Sequence, residues 1–346
     1  MNLRRLCAFA ALALMSTAGV ACAEETTIKV GLVRSISNGA ELIGVDRGYF
    51  KQYGLKVEIE DIDTSANTMV LLATNQLQII AGGISAGYFN ALEKGLPVTT
   101  IGDRVSTPIR HNLMLRPDLK DEIKDIKQLK GRVVASNGAG SVSTYEVGKL
   151  LESAGLKTTD VDLKILRFTQ MGAAFANKAI DAALVIPPFS YEFLDQHLAV
   201  EFADVDTIVR PSPMTIAVIM VNTDWAKQHH DALQGYYTAY LRGVRDYCNA
   251  YHGGSIRKEM IDSIVRHGSE RSPKLLNDYP WVARSPDSRI NMASMLDMQD
   301  WYVANKFSLA KQPTARLLDT SYADEAIKRL GPFVLENKDS KLPGCR

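Results

Sequence analysis

Cysteine is scarce in this chain, four in 346 residues, and two of the four, Cys7 and Cys22, fall within the first two dozen positions. No Cys-x-x-Cys and no His-Glu-x-x-His occurs, and the adjacent His229 and His230 would point apart on a helix, so no spacing marks a metal site. An excess of one charge is equally absent: 40 basic residues stand against 39 acidic ones. A near-neutral protein offers no electrostatic footing for nucleic acid or for an anionic membrane surface. Beyond residue 23 no apolar run approaches the length of a bilayer-spanning helix. What remains, 46% hydrophobic and 23% charged, is the composition of a globular protein long enough for two domains.

Residues 1–23 differ from the rest. Arg4 and Arg5 precede an apolar stretch from Leu6 to Val20, and Ala21-Cys22-Ala23 supplies small residues at its end. That order is the order of a secretory signal, and it predicts an exported, periplasmic protein, with Cys22 leaving a lipid-anchored form as the alternative. Removing the leader takes away two arginines and leaves Cys248 and Cys345 as the remaining cysteines. In an oxidising compartment such a pair is expected to bridge, tying the chain's last residues onto a helix and contributing at most roughly 4–5 kcal/mol; two free thiols are the alternative.

Along the mature chain, apolar strand-length runs alternate with helical periodicity. Thr26–Val33 and Leu55–Ile62 read as strands, a helix carries Leu42, Ile43, Tyr49 and Phe50, and Leu77–Ala81 runs into Gly82-Gly83 ahead of a helix opening at Ser85. The same design recurs at Arg132–Ala135, the turn Ser136-Asn137-Gly138-Ala139-Gly140 and a helix opening at Ser141-Val142-Ser143-Thr144. A strand that stops at glycines and hands over to a helix start leaves unpaired N–H groups aimed at one point, a seat for an anion. Ser141, Ser143 and Thr144 would add donors to that seat, or simply cap the helix. The alternation predicts an α/β protein with parallel sheets covered on both faces. His111–Leu115 reads as the last strand of a first unit, the turn at Arg116-Pro117-Asp118 as the boundary, and the apolar Met214–Val221 as a return to the first sheet. From Leu233 to Tyr251, apolar and tyrosine positions follow helical spacing, a buried face.

Two motifs point towards chemistry. Gly83-Ile84-Ser85-Ala86-Gly87 matches the nucleophile elbow of a serine hydrolase, yet His111, His197, His229, His230, His252 and His267 sit in no setting that places one on Ser85. Gly138-Ala139-Gly140 followed by Ser143 is a partial dinucleotide fingerprint, which an anion nest explains with fewer assumptions. Arg34, Arg104 and Arg110 lie near the carboxyl ends of strands, where ligands of open α/β sheets bind and where a guanidinium can grip an oxyanion.

Several phrases, in order and spacing, resemble the nitrate/sulfonate/taurine substrate-binding proteins of ABC importers: Gly48-Tyr49-Phe50 through Gly54-Leu55-Lys56-Val57, Gly82-Gly83, Asp125–Ala135, Ile180-Asp181-Ala182-Ala183 with Pro187-Pro188-Phe189, and Asp319–Ala326. The resemblance implies a two-lobed type II periplasmic binding protein fold, each lobe a mostly parallel sheet flanked by helices, with the ligand in the cleft. It also implies no catalysis, no cofactor, a monomer, and delivery of a small anion (sulfonate or taurine, nitrate, aromatic carboxylate) to a permease with a cytoplasmic ATPase. A thiamine-pyrimidine synthase branch shares the superfamily, but its cysteine-rich run is absent here. Carried over by position, the ligand contacts are Arg34, Ser35, Asn38, Gly83, Ser85, Arg104, Ser106, Asn137, Gly138, Ser141, Ser143, Thr144, Gln170, Pro187 and Tyr191. The expected division is a leader over 1–23, a first lobe over 24–115 and 214–346, and a second lobe over 116–213. A secreted serine hydrolase acting through Ser85 and a periplasmic ligand sensor are the competing functions.

Overall fold

The computed structural model describes residues 25–346; the leader and Cys22 lie outside them. Ten strands occur among the described residues: β1 (Thr26–Val33), β2 (Leu55–Ile62), β3 (Ile79–Gly83), β4 (Val98–Ser106), β5 (Asn112–Leu115), β6 (Val133–Ser136), β7 (Asp162–Ile165), β8 (Ala182–Val185), β9 (Val200–Asp204) and β10 (Thr215–Asn222). They form two five-stranded sheets, in the orders β2-β1-β3-β10-β4 and β7-β6-β8-β5-β9. Each sheet is parallel except for one strand, β10 in the first and β5 in the second, which runs against both its neighbours. The helices that shape the cleft are α1 (Gly39–Asp46), α2 (Ser65–Ala73), α3 (Ala86–Glu93), α4 (Val142–Ser153), α5 (Phe168–Ala176) and α6 (Phe189–Asp195).

The strand at 112–115 corrects the expected boundary. It pairs with β8 and β9, so it belongs to the second lobe's sheet, and the chain has crossed over by Asn112. The sequence around it gives no local sign of this, because a buried four-residue apolar strand reads alike in either sheet. The return crossing runs beside the first: the amide of Thr107 donates to the carbonyl of Met214 at 2.9 Å, and the Asp206 carboxylate accepts from the backbone N–H groups of Ile109 and Arg110 at 2.9 and 3.0 Å.

β10 is buried along its whole length, which explains its unbroken apolar run. Ile219 and Val221 face one hydrophobic core, Val218 and Met220 another, as the two-residue period of a strand requires. The long helix His230–Tyr251 supplies Tyr236, Tyr237, Tyr240 and Tyr247 to the first core, and three of their hydroxyls find buried acceptors: Ser288 for Tyr237, the Asp103 carbonyl for Tyr240 and the Val282 carbonyl for Tyr247. Near the end of that helix, Cys248 and Cys345 are both buried thiols with their sulfurs 2.6 Å apart.

The second core is continuous between the lobes. The helix Met292–Ala304 sends Trp301 edge-on against Tyr145 of α4, ring centroids 5.6 Å apart, and Tyr145 donates its hydroxyl to Asp297 at 2.6 Å. Trp301 Nε1 donates to Glu152 at 2.7 Å.

The long helix meets α1 backbone to backbone at Gly243, where an added Cβ would stand 2.1 Å from the Ala40 carbonyl oxygen. Gly243→Ala is therefore expected to push the two helices apart at a cost of about 1–3 kcal/mol. Urea denaturation reads this as a lowered midpoint, and an unchanged midpoint would refute the close contact.

Candidate functional site

The carboxyl ends of the parallel strands in both sheets converge on a partly open cavity of about 60 Å³. Val33, Val105, Val142, Phe168, Ile186, Ile216 and Ala217 form its apolar walls. Ser35, Thr64, Ser65, Arg104, His111, Asn137 and Ser141 supply its polar groups, with Gly82 and Gly83 completing the lining. Gly83 is tightly confined: a Cβ there would come within 2.7 Å of Val142 from the other lobe. A wider vestibule of about 370 Å³ adjoins the cavity across Val33 and Phe168, bordered by Arg34, Asp61, Asp63, Arg167 and Phe189.

Of the residues expected at the ligand, the structure brings Ser35, Gly83, Arg104, Asn137 and Ser141 to the cavity wall. Arg104 is 2% exposed; its Nε donates to Glu41 at 3.1 Å and its Nη2 to Asn38 Oδ1. Asn38 therefore acts behind the wall, holding the guanidinium, while its own Nδ2 donates to Ser269 Oγ at 3.1 Å. Ser35 accepts from the backbone N–H of Ser37 and starts the turn that leads into α1.

In the serine-rich turn before α4 the hydroxyls are tied into a network with Asn137 and the backbone. Asn137 Oδ1 accepts from Ser141 Oγ at 2.8 Å and from Ser143 Oγ at 2.6 Å, Ser143 Oγ accepts from the Asn137 amide, and Thr144 Oγ1 donates to the Gly138 carbonyl. Gly138 lies against Thr64, 2.9 Å from where a Cβ would stand. At the other glycine turn, the Ala86 N–H that opens α3 donates to the Gly140 carbonyl at 2.9 Å. The two turns thus meet each other across the cleft, and that N–H of α3 is engaged by protein, not free for an anion.

The remaining expected contacts sit elsewhere. Ser85 is fully buried, and its Oγ has no hydrogen-bond partner, so no histidine activates it and the hydrolase constellation is not assembled. Gln170 is exposed and closes the first turn of α5 by accepting from the Arg167 amide at 3.2 Å. Pro187 is buried ahead of α6. Tyr191 stacks on Tyr279 at 4.4 Å and donates to the Pro280 carbonyl at 2.6 Å, joining α6 to the first lobe. Arg34 reaches over from the first lobe to Glu192 at 2.6 Å, its guanidinium 4.7 Å from the centre of the Phe189 ring, which in turn stacks on Phe168.

His111, Thr64, Ser65 and Phe168, which carry no motif in the sequence, also line the cavity. His111 is 6% exposed, and its Nδ1 lies 2.9 and 3.1 Å from the two carboxylate oxygens of Glu146, a fully buried residue on α4. Burial pushes the Glu146 carboxyl above the usual range, against the opposing pull of His111. Its place one residue before a strand in the first crossing was the available signal, since crossing segments border the cleft. Thr64 caps α2 by accepting from the Asn67 amide, and Ser65 donates to the Gly83 carbonyl, so both are held by the lobe they come from.

With the geometry in hand, known proteins supply a class: two α/β lobes around a cleft, the architecture of periplasmic binding proteins. The aliphatic sulphonate-binding protein SsuA of Escherichia coli superposes with a TM-score of 0.67 over 85% of this chain and 92% of its own, at 19% identity. The nitrate-binding protein NrtA of Synechocystis PCC 6803 gives 0.73 over 93% and 92%, at 15% identity. Residues 39–250 match the family described as NMT1/THI5 like, and the chain belongs to that family. A Haemophilus influenzae protein named for thiamine biosynthesis is 27% identical over 143 residues, 40% of this chain and 43% of that protein, so the match spans less than half of the relative's length.

Ser106, also expected at the ligand, instead donates to Asp103 Oδ1 at 2.6 Å, and the Ser285 N–H donates to the other oxygen at 3.0 Å. Burial outweighs these bonds and pushes the Asp103 carboxyl up to about 6. Its folded value lies above its unfolded one, so the stability it contributes is full below pH ~4 and is lost as the pH rises through about 6. Asp103→Asn is expected to flatten the stability-pH curve across that interval in urea titrations; a curve that keeps the wild-type slope would remove Asp103 as its source.

Proposed function

We propose that this chain is the solute-binding component of an ABC importer, capturing a small oxyanion with a compact apolar body in the interlobe cavity. The observation that carries the reading is the set of three cavity-lining side chains, Arg104, His111 and Asn137, set among apolar walls. Each keeps one polar nitrogen (Nη1, Nε2 and Nδ2) outside the hydrogen bonds it makes with other described residues. Donors of this kind in a largely apolar pocket suit a group rich in acceptor lone pairs. Sulfonate, nitrate and aromatic carboxylate answer that description, and the names of the sulphonate- and nitrate-binding neighbours support it. Delivery to a permease driven by a cytoplasmic ATPase, action as a monomer in the periplasm, and a Cys248–Cys345 disulfide formed on export belong to the same reading. No described helix is long and apolar enough to cross a membrane.

A second reading is favoured by the pairing of both arginines: Arg104 with Glu41 and Arg34 with Glu192. With each guanidinium already facing a carboxylate, an uncharged heterocycle such as a pyrimidine, lying against Phe168, would need no further positive charge. The thiamine-related name of the Haemophilus relative points the same way.

A thermal-shift screen of the 24–346 protein against taurine, methanesulfonate, nitrate, benzoate and an aminopyrimidine separates the two. A ligand present at 100 times its Kd adds about 2.7 kcal/mol, a rise of several degrees. Stabilisation by an anion supports the first reading, stabilisation by the pyrimidine alone supports the second, and a flat screen on refolded, ligand-stripped protein counts against capture altogether. The neutral double variant Glu41→Gln with Arg104→Gln is expected to weaken anion affinity by about ten- to a hundredfold, the range for a charged hydrogen bond of 1.5–3 kcal/mol. Gln170→Ala should leave it unchanged. For the disulfide, intact mass before and after reduction is expected to differ by the two hydrogens gained. Reductant should lower the wild-type unfolding temperature and leave Cys345→Ser untouched; equal masses would refute the bridge.

A further inference from the structure

His111 and Glu146 form a buried pair that the binding reading alone does not explain. The carboxylate of Glu146 is fully buried, comes from the second turn of α4, and meets the imidazole Nδ1 and no other hydrogen-bond partner among the described residues. The opposite ring nitrogen, Nε2, belongs to a residue lining the cavity. A carboxylate so enclosed has no second donor to hold its charge, so the pair titrates as a unit and its protons decide what Nε2 offers. With two protons on the pair, either on the ring as imidazolium or shared between the carboxyl and the ring, the pair is uncharged and Nε2 carries an N–H. With one proton, held between Nδ1 and the carboxylate, the pair is negative and Nε2 presents a lone pair. The first state donates to an oxyanion; the second repels it.

We propose that the His111–Glu146 pair is the proton-gated element of the ligand site: His111 Nε2–H grips the anionic end of the solute, and the solute binds only to the doubly protonated pair. The inference rests on the anion reading above. It also assigns Glu146 a task as a positioning residue, since it fixes which ring nitrogen faces the cavity without touching the ligand. The charged and titratable groups around the pair come from three other elements and from α4 itself, whose Tyr145 lies within range of the Glu146 charge. Arg104 of β4 shares the cavity with His111. Asp206, on the short helix after β9, adds a like charge near Glu146 and accepts from the Ile109 and Arg110 amides just before His111. Tyr302, from the helix that bridges the lobes, lies within range of the Glu146 charge. Arg104 and its partner Glu41 are locked together, which leaves the His111–Glu146 pair as the cavity group whose net charge can follow pH. Binding and protonation are then reciprocal: an anion in the cavity holds the proton to higher pH by the same factor that proton loss weakens the anion.

The test uses the 24–346 protein with nitrate, methanesulfonate and benzoate as probes, titrated by calorimetry from pH 5 to 9 in two buffers of different ionisation enthalpy. Affinity is expected to fall about tenfold per pH unit once the pair has lost its proton, with proton uptake visible in the buffer dependence. Nitrogen-15 spectra of the histidines should show the His111 Nε2–H retained to higher pH when the probe is bound. His111→Gln should bind with a flat pH profile, and Glu146→Gln should shift the fall in affinity to lower pH. Affinity that is constant with pH in the wild type, or a wild-type slope kept by His111→Gln, overturns the assignment while leaving the capture function intact. If no probe binds at any pH, the anion reading fails and this inference with it. Should either variant fail to fold, the wild-type calorimetry and spectra decide alone.

Discussion

A guanidinium shut away from water has to be answered by a charge equally shut away, and in this protein that requirement fixes the floor of the cleft. Arg104 and Glu41 have side-chain exposures of 3% and 1%. Isolated, either group would cost several kcal/mol to bury; together, with Asn38 holding the guanidinium, they are held, and removing one partner is expected to cost about 3–5 kcal/mol. The pair ties β4 to α1, and α1 is in turn pressed against the long helix His230–Tyr251 at Gly243. The wall residues that flank Arg104, Ser35 at the turn before α1 and Val105 on β4, inherit their positions from this tie.

The second lobe is built around the same economy of charge, with a different outcome. Glu146 is buried as deeply as Glu41, but its partner is an imidazole, a group whose charge is not fixed. One wall of the cavity therefore carries an arginine–carboxylate pair and the other a histidine–carboxylate pair. The two glycine turns between them, which meet as Ala86 N–H to Gly140 carbonyl, contribute shape and closure.

The strands, the glycine turns and the tyrosine face of the long helix were legible in the sequence because each is a local signal: a period of two, a residue lacking a side chain, a period of three to four. Residues next to those turns, Ser35, Gly83, Asn137 and Ser141, reach the cavity for the same local reason. What could not be read was pairing between distant positions. Arg34 and Arg104 look alike as arginines at strand ends, and nothing near them announces Glu192 or Glu41. His111 and Glu146 lie 35 residues apart on different elements. That the strand at 112–115 pairs in the second sheet and not the first is not legible in its residues, because strand propensity says that a segment pairs, not with which partner. Gln170 and Ser106 stood at plausible positions and are engaged by their own neighbourhoods, a cap and a buried carboxylate.

The helix Met292–Ala304 gives the cleft two unequal sides. On its side the lobes share packed aromatic rings, Tyr145 against Trp301, and separating them exposes surface at roughly 25 cal/mol for each Å². On the other side partly exposed ion pairs, Arg34 with Glu192 and Arg167 with Asp63, each worth about 0–1 kcal/mol, span the seam beside a smaller aromatic contact, Tyr191 on Tyr279. Phe168 and Phe189 border the vestibule on that side, so the ion-paired seam is where separating the lobes disturbs the least buried apolar surface.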